Sequence, residues 1–196
     1  MNISTTGLDF IKGFETLHLK VYGDPSGYPT VGWGHLLSYN VYDKNKDLST
    51  ASANRELKNA GFSYTSPITK SQANSILNKD LKKAVNAVNA KNDEVYNKLT
   101  QNQYDALVSL AFNAGTGVLH SDDMSALLNR SMTFSDYGAH MSDSELKTMA
   151  KMVTAAFQYT KSSGVQLRGL VNRRNKEMEL FCTGMRYSYN KIIYKG

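Results

Sequence analysis

The sequence predicts an α+β fold that is mostly α: a small N-terminal lobe with a β-hairpin sheet, one long connecting helix, and a helical C-terminal lobe. Three observations predict it. All three prolines (Pro25, Pro29 and Pro67) and five of the fourteen glycines (Gly13 to Gly34) fall in the first third, so that part is rich in turns. Beyond it, apolar residues recur at the three-and-four spacing of amphipathic helices. Several of these runs open with Ser or Thr followed three residues later by Gln, Asp or Glu, a pairing that satisfies the orphan N–H groups of a helix start.

In chain order, Thr6 with Asp9 marks the first helix start. Leu8, Ile11 and Glu15 stand at i, i+3 and i+7, which predicts one stripe carrying the acid beside the apolar residues. A carboxyl withdrawn from water resists ionisation, as a general acid near neutrality must. Taken alone, Glu15 reads more readily as a surface residue of the last helical turn. Next, "LKVYG" and "YPTVGWG" are two β-prone runs joined by Asp24-Pro25-Ser26-Gly27, the residue order of a type I turn. That hairpin would put Asp24 and Thr30 on opposite strands near its tip, where they can converge, although an isolated Asp-Pro-x-Gly needs its Asp only to start the turn.

Thr69 with Gln72 opens the connecting helix, about 69 to 90, along the stripe Ala73, Leu77, Leu81, Ala84, Val85 and Val88. The N-terminal lobe then spans about 12–68 and the C-terminal lobe about 91–196, with helix 1–11 packed on the latter, all within a single domain 1–196. Thr100 with Gln103 and Ser142 with Glu145 start two further helices; Met149, Met152, Val153, Ala156 and Phe157 form a core stripe in the second. Gly115 and Gly184 sit where left-handed C-caps would end helices. About eight helices and one hairpin are expected, with no repeat and no low-complexity segment.

At 196 residues, with 41% apolar and 20% charged side chains, the chain is long enough for a sizeable core. Its net charge of +6 and pI near 9.2 favour a polyanionic partner: nucleic acid, anionic lipid or an anionic bacterial wall. Cys182 is the only cysteine, so no internal disulfide forms; the thiol reads as buried and structural, and no metal or other cofactor is expected. The N-terminal "MNISTTGLDF" lacks a basic and an apolar signal region, and no run of 18 apolar residues is present. The expectation is a chain made in a bacterial host cytoplasm without a signal peptide, with no stable membrane insertion, that reaches the cell wall after release or delivery. No nucleic-acid-binding motif accompanies the positive charge.

One protonated and one ionised carboxyl are what glycoside hydrolysis requires, the first for the leaving oxygen and the second for a water. Glu15, Asp24 and Thr30 are separated by eight and then five residues, and this spacing resembles the catalytic signature of the phage-type lysozymes, the endolysins of glycoside hydrolase family 24. "TVGWGHLL" is similar to the glycine-punctuated strand of that family. "ITKSQANSILNKDLKKAV" resembles its interlobe helix, "LTQNQYDALVSLAFNAGTG" its central buried helix, and "GLVNRRNKEMELFCTG" its arginine-bearing helix. Together these blocks cover about residues 7 to 184.

The resemblance implies a lysozyme-like fold and a muramidase acting on bacterial peptidoglycan. It makes Glu15 the general acid, Asp24 the residue that activates or orients water, and Thr30 a holder of that water. Arg173 would pair with the acid, against the competing reading of a solvated basic face shared with Arg174. Phe112 and Asn113 would line the sugar cleft, although Phe112 reads equally as a core residue, and His35 with Asp80 would form a structural salt bridge. Delivery by a holin or a secretion machine and a cognate inhibitor or immunity protein are compatible with this reading. Residues 131–145 look like an insertion, and the basic aromatic tail "MRYSYNKIIYKG" extends past the last matching helix. The rival readings are a lytic transglycosylase and a non-catalytic wall- or nucleic-acid-binding module.

Overall fold

Most helix starts lie where the sequence supplies oxygen acceptors for unpaired backbone N–H groups; the one behind Leu167 has no side-chain cap. The computed structural model describes residues 1–94, 99–137, 142–162 and 164–183. Among the described residues it has seven α-helices: α1 (Thr5–Lys12), α2 (Thr50–Asn59), α3 (Lys70–Glu94), α4 (Gln101–Ala114), α5 (Asp122–Tyr137), α6 (Asp143–Ala156) and α7 (Arg168–Cys182). A 3-10 helix, Thr116–His120, follows α4. The reciprocal caps expected at Thr69/Gln72, Thr100/Gln103 and Ser142/Glu145 are all formed. The one expected at Thr6/Asp9 is not: the cap lies two residues earlier, where Ser4 Oγ accepts the Gly7 N–H at 3.0 Å. Ser49, which accepts the Ser52 N–H, caps α2 without the Glu or Gln that would have signalled it.

The chain divides into two units, one of Asp9–Lys82 and one of Met1–Leu8 with Lys83–Gly196. In the Asp9–Lys82 unit, β1 (His18–Gly23), β2 (Pro29–Gly32) and β3 (His35–Leu36) form an antiparallel sheet in that order. Val21 and Val31, both fully buried, turn one face of it onto Leu37, Ala53, Leu57, Ile68, Ala73 and Ile76. Burial at this level contributes about 1.5–3 kcal/mol per large aliphatic side chain. The free edge of β1 is covered by residues 44–48, through Gly23 N–H to Lys46 O (3.0 Å), Asn45 N–H to Gly23 O (2.6 Å) and Leu48 N–H to Val21 O (2.8 Å). A Cβ on Gly23 would run into the Asp43 carbonyl, so only glycine lets this segment lie so close. Glu56, fully buried, fastens the preceding loop by accepting from Ser38 Oγ (2.7 Å), Asn40 Nδ2 (3.1 Å) and Tyr42 Oη (2.6 Å). Burial pushes its carboxyl up, but these bonds and Arg55 outweigh it and hold the group below its ordinary range.

In the second unit α4 is buried from Gln103 to Ala111 and packs on α7. The N-terminal residues are tied to this unit: Ser4 N–H donates to Asp105 Oδ1 (3.0 Å), Ser4 Oγ donates to Asp105 Oδ2, and the Met1 amine donates to Asn89 Oδ1 (2.8 Å). A Cβ on Gly7 would lie 2.5 Å from Asp105 Cγ, which explains the glycine. Cys182 is buried as expected, and burial pushes its thiol up to about 12.

Several expectations are revised. The connecting helix reaches Glu94 rather than about 90, with Lys91 Nζ bonded to Glu94 at 2.6 Å in its last turn. Val85 and Met152 are half-buried whereas the rest of their stripes are buried. Gly115 has φ 88° but ψ 153°, an extended rather than left-handed helical conformation. A second hairpin, β4 (Lys161–Ser162) with β5 (Val165–Gln166), was not anticipated; its signal was the Gly of "KSSGVQ", at φ +80°. Gly184 and the basic aromatic tail lie outside the described residues, as do 138–141 of the 131–145 segment.

Candidate active site

The hairpin forms as the turn residues dictate. The Asp24 carbonyl accepts the Gly27 N–H at 2.8 Å, and its carboxylate Oδ1 accepts the backbone N–H of Ser26 (2.8 Å) and of Tyr28 (2.9 Å). Asp24 therefore does start the turn, as a bare Asp-Pro-x-Gly would require. Oδ1 carries both turn bonds, which leaves Oδ2 outside them. Tyr22 pairs with Thr30 across the strands, and cross-strand partners share a face of a sheet. Val21 faces the core, so by strand alternation Tyr22 and Thr30 face away from it. Thr30 is 5% exposed, and its hydroxyl donates to the Tyr28 carbonyl at 3.1 Å.

Glu15 is not on the helical stripe that its i+7 spacing suggested. α1 ends at Lys12, and the chain leaves it through Phe14 N–H to Ile11 O (3.0 Å) and Glu15 N–H to Lys12 O (3.3 Å). Gly13 and the loss of helical geometry end the 3.6-residue period before it reaches position 15. The acid is nonetheless half-buried, and it lines a pocket of about 420 Å³ together with His18, Tyr22, Gly34, Asn45 and Asp47. Gly34, at φ +89°, lies against it: a Cβ there would be 3.6 Å from Glu15 Oε2. The segment admitted by Gly23 brings Asn45 and Asp47 to this pocket, and Asp47 pairs with Lys20 at 3.0 Å.

Tyr22 connects the two carboxylates electrostatically. Burial pushes its phenol up from the ordinary value, and the negative charges of Asp24 and then Glu15 push it further, so it remains a protonated donor. Its ring stacks on His18, with centroids 4.1 Å apart and planes at 29°. His35 Nδ1 stands 2.9 Å from both carboxylate oxygens of Asp80 and its ring is edge-on to Phe62, the structural pairing expected of it.

The remaining candidates belong to the other unit. Phe112 is half-buried and Asn113 exposed in the last turn of α4. The reading of Arg173 and Arg174 as a solvated basic face is overturned: they are 4% and 1% exposed. Both enclose Glu177, which is fully buried. Arg173 Nε donates to Glu177 Oε1 (3.2 Å) and its Nη2 to Ser109 Oγ (3.4 Å), while Ser109 Oγ donates to Glu177 Oε1 at 2.6 Å. Arg174 Nη2 donates to Glu177 Oε1 (3.0 Å) and to Asn113 Oδ1 (2.9 Å). Arg174 Nε is 2.7 Å from Glu177 Oε2, near enough to pair charges but not aligned as a hydrogen bond, and Arg174 Nη1 has no hydrogen-bond partner among the described residues. Burial pushes the Glu177 carboxyl up against the pull of Arg174, Ser109 and Arg173, and it pushes the Arg174 guanidinium down. Sequence reasoning missed Glu177, although its spacing of three and four from the two arginines is that of helix-face ion pairs.

Among the described residues no three His, Cys, Asp or Glu side chains gather as a metal site, and no helix is long and apolar enough to cross a membrane.

Comparison with known proteins places this arrangement. The chain is 32% identical over 187 residues to the endolysin of Bacillus phage PZA, covering 94% of this chain and 56% of that one, so it spans little more than half of that relative. Among solved structures it is similar to the muramidase domain of SpmX from Asticaccaulis excentricus, at 28% identity and a TM-score of 0.57 over 93% of this chain and 98% of that one. It is also similar to a P22 phage lysozyme mutant, at 26% identity and a TM-score of 0.58 over 93% and 99%. The phage lysozyme family profile matches residues 12–177, a span that holds the hairpin, Glu15 and the buried arginines alike. The chain belongs to the phage lysozyme family.

Proposed function

We propose that this chain is a muramidase that hydrolyses the β-1,4 bond between N-acetylmuramic acid and N-acetylglucosamine in bacterial peptidoglycan. The observation that carries the reading is the pocket beside the hairpin, where Glu15 stands half-buried and where the charges of both Glu15 and Asp24 reach one phenol, Tyr22. Two acids so placed have separate tasks. Glu15 gives its proton to the bridging oxygen as the glycosidic C–O bond breaks, while Asp24, through an oxygen outside the turn, takes a proton from a water attacking the anomeric carbon. The water oxygen forms the new C–O bond, and the proton on Asp24 returns through solvent to Glu15. Thr30, whose own proton goes to Tyr28, has only acceptor capacity left for that water. The roles of Arg173, Phe112 and Asn113 rest on the family resemblance alone.

A net charge of +6 suits an anionic wall, which this chain would reach by release through a holin or by a secretion machine, with a cognate inhibitor as a further partner. Mass spectrometry of digested, purified peptidoglycan tests the reaction class. Hydrated reducing ends are expected. Anhydro-sugar ends would make the chain a lytic transglycosylase, and an undigested wall would make it a binding module.

A further inference from the structure

We propose that Tyr22 is a further catalytic residue of this site, its hydroxyl donating to the attacking water and its ring held in place by His18. The inference deepens the muramidase reading and rests on it. An attacking water has two protons and two lone pairs. In the reading above Asp24 receives one proton and Thr30 can only accept the other, since its hydroxyl is engaged as a donor to the Tyr28 carbonyl. One lone pair goes to the anomeric carbon. The second is left to be fixed by a donor, and neither an ionised Asp nor a Thr already donating supplies one.

Tyr22 meets that need on four counts. It lines the same pocket as Glu15. It is the cross-strand partner of Thr30, so the two side chains rise from one face of the hairpin. It stands two residues before Asp24, which follows directly on the end of β1. Burial first, and the neighbouring carboxylates after it, raise its pKa above the ordinary value and keep it a phenol, hence a donor. The His18 ring, stacked at 4.1 Å, limits rotation of the tyrosine ring, and the 44–48 segment fixes its backbone from the other side through the Tyr22↔Asp47 bridge. Loss of a preorganised donor of this kind costs rate rather than affinity, because the bond strengthens as the water becomes nucleophilic.

The test compares Tyr22→Phe, His18→Ala and His18→Phe with the wild-type chain on a soluble peptidoglycan oligosaccharide. Tyr22→Phe keeps the ring and its stack but removes the hydroxyl. It is expected to lower kcat about 10- to 100-fold with KM within about twofold, by the same factor at every pH from about 5 to 8, and with an unchanged melting temperature. His18→Ala is expected to lower kcat several-fold, and His18→Phe, which can stack, to restore it. Wild-type kcat in Tyr22→Phe, or a loss confined to KM, overturns the inference; so does a deficit that changes with pH, since that would place the hydroxyl on a carboxylate rather than on the water. Should Tyr22→Phe fold poorly, equal kcat in the two His18 variants contradicts the proposed clamp. A wild-type chain that releases no sugar overturns the muramidase reading itself, an outcome distinct from any of these.

Discussion

Glu15→Gln is expected to lower kcat/KM on purified peptidoglycan by about 10²- to 10⁴-fold, the range that a single general acid contributes. The substitution keeps the side chain's size and hydrogen-bonding shape but removes the transferable proton. Glu15 lies in a turn beyond the end of α1, outside the hydrophobic core, so the loss should come with little change in melting temperature. Binding to the wall should also survive, because the basic charge and the pocket walls remain. Measurement of reducing-end release beside a pelleting assay separates the two. Release within about threefold of the wild type would remove Glu15 from the mechanism, and a collapse of the fold would assign it to structure.

The second large effect concerns stability. Glu177→Ala should destabilise the chain by about 3–5 kcal/mol, the cost of breaking a buried ion pair by removing one partner. The variant would leave Arg173 and Arg174, 4% and 1% exposed, beside a cavity without the carboxylate that both approach, and Ser109 Oγ without its acceptor. At roughly 2–4 °C per kcal/mol for a chain of this length, the melting temperature should fall by roughly 6 to 20 °C. A shift under about 2 °C in thermal unfolding would show that solvent or a repacked neighbour replaces the carboxylate. Arg174 Nη1, without a hydrogen-bond partner among the described residues even in the intact chain, marks where the network is already incompletely satisfied.

What the sequence revealed and what it concealed divide along physical lines. Caps and turns depend on a few adjacent residues, so Thr69, Thr100, Ser142 and the Asp24-Pro25-Ser26-Gly27 turn could be read directly. Periodicity extrapolates only as far as the helix runs, so the stripe ends at Lys12 and Glu15 stands half-buried in the turn beyond it. Charge alone does not report burial: two adjacent arginines look solvated until the third member, Glu177, is counted on the same helix face. The pocket wall formed by Asn45 and Asp47 depends on Gly23 admitting a segment some twenty residues away, a tertiary contact with no local signature. Tyr22 was visible only as one aromatic in a strand, and its register opposite Thr30 gave it meaning.

The central claim is that Asp24 directs a water, rather than attacking the sugar itself, while Glu15 protonates the leaving oxygen. Inverting glycosidases hold their carboxyl groups roughly 6.5–9.5 Å apart to admit that water, and retaining ones about 5–5.5 Å for direct attack. Time-resolved proton NMR of the anomeric signal during cleavage of a soluble β-1,4 peptidoglycan oligosaccharide reads the difference directly. The α-anomer appearing first, before mutarotation, is the predicted result. The β-anomer appearing first would contradict the account, because it requires a covalent glycosyl-enzyme intermediate in place of the water.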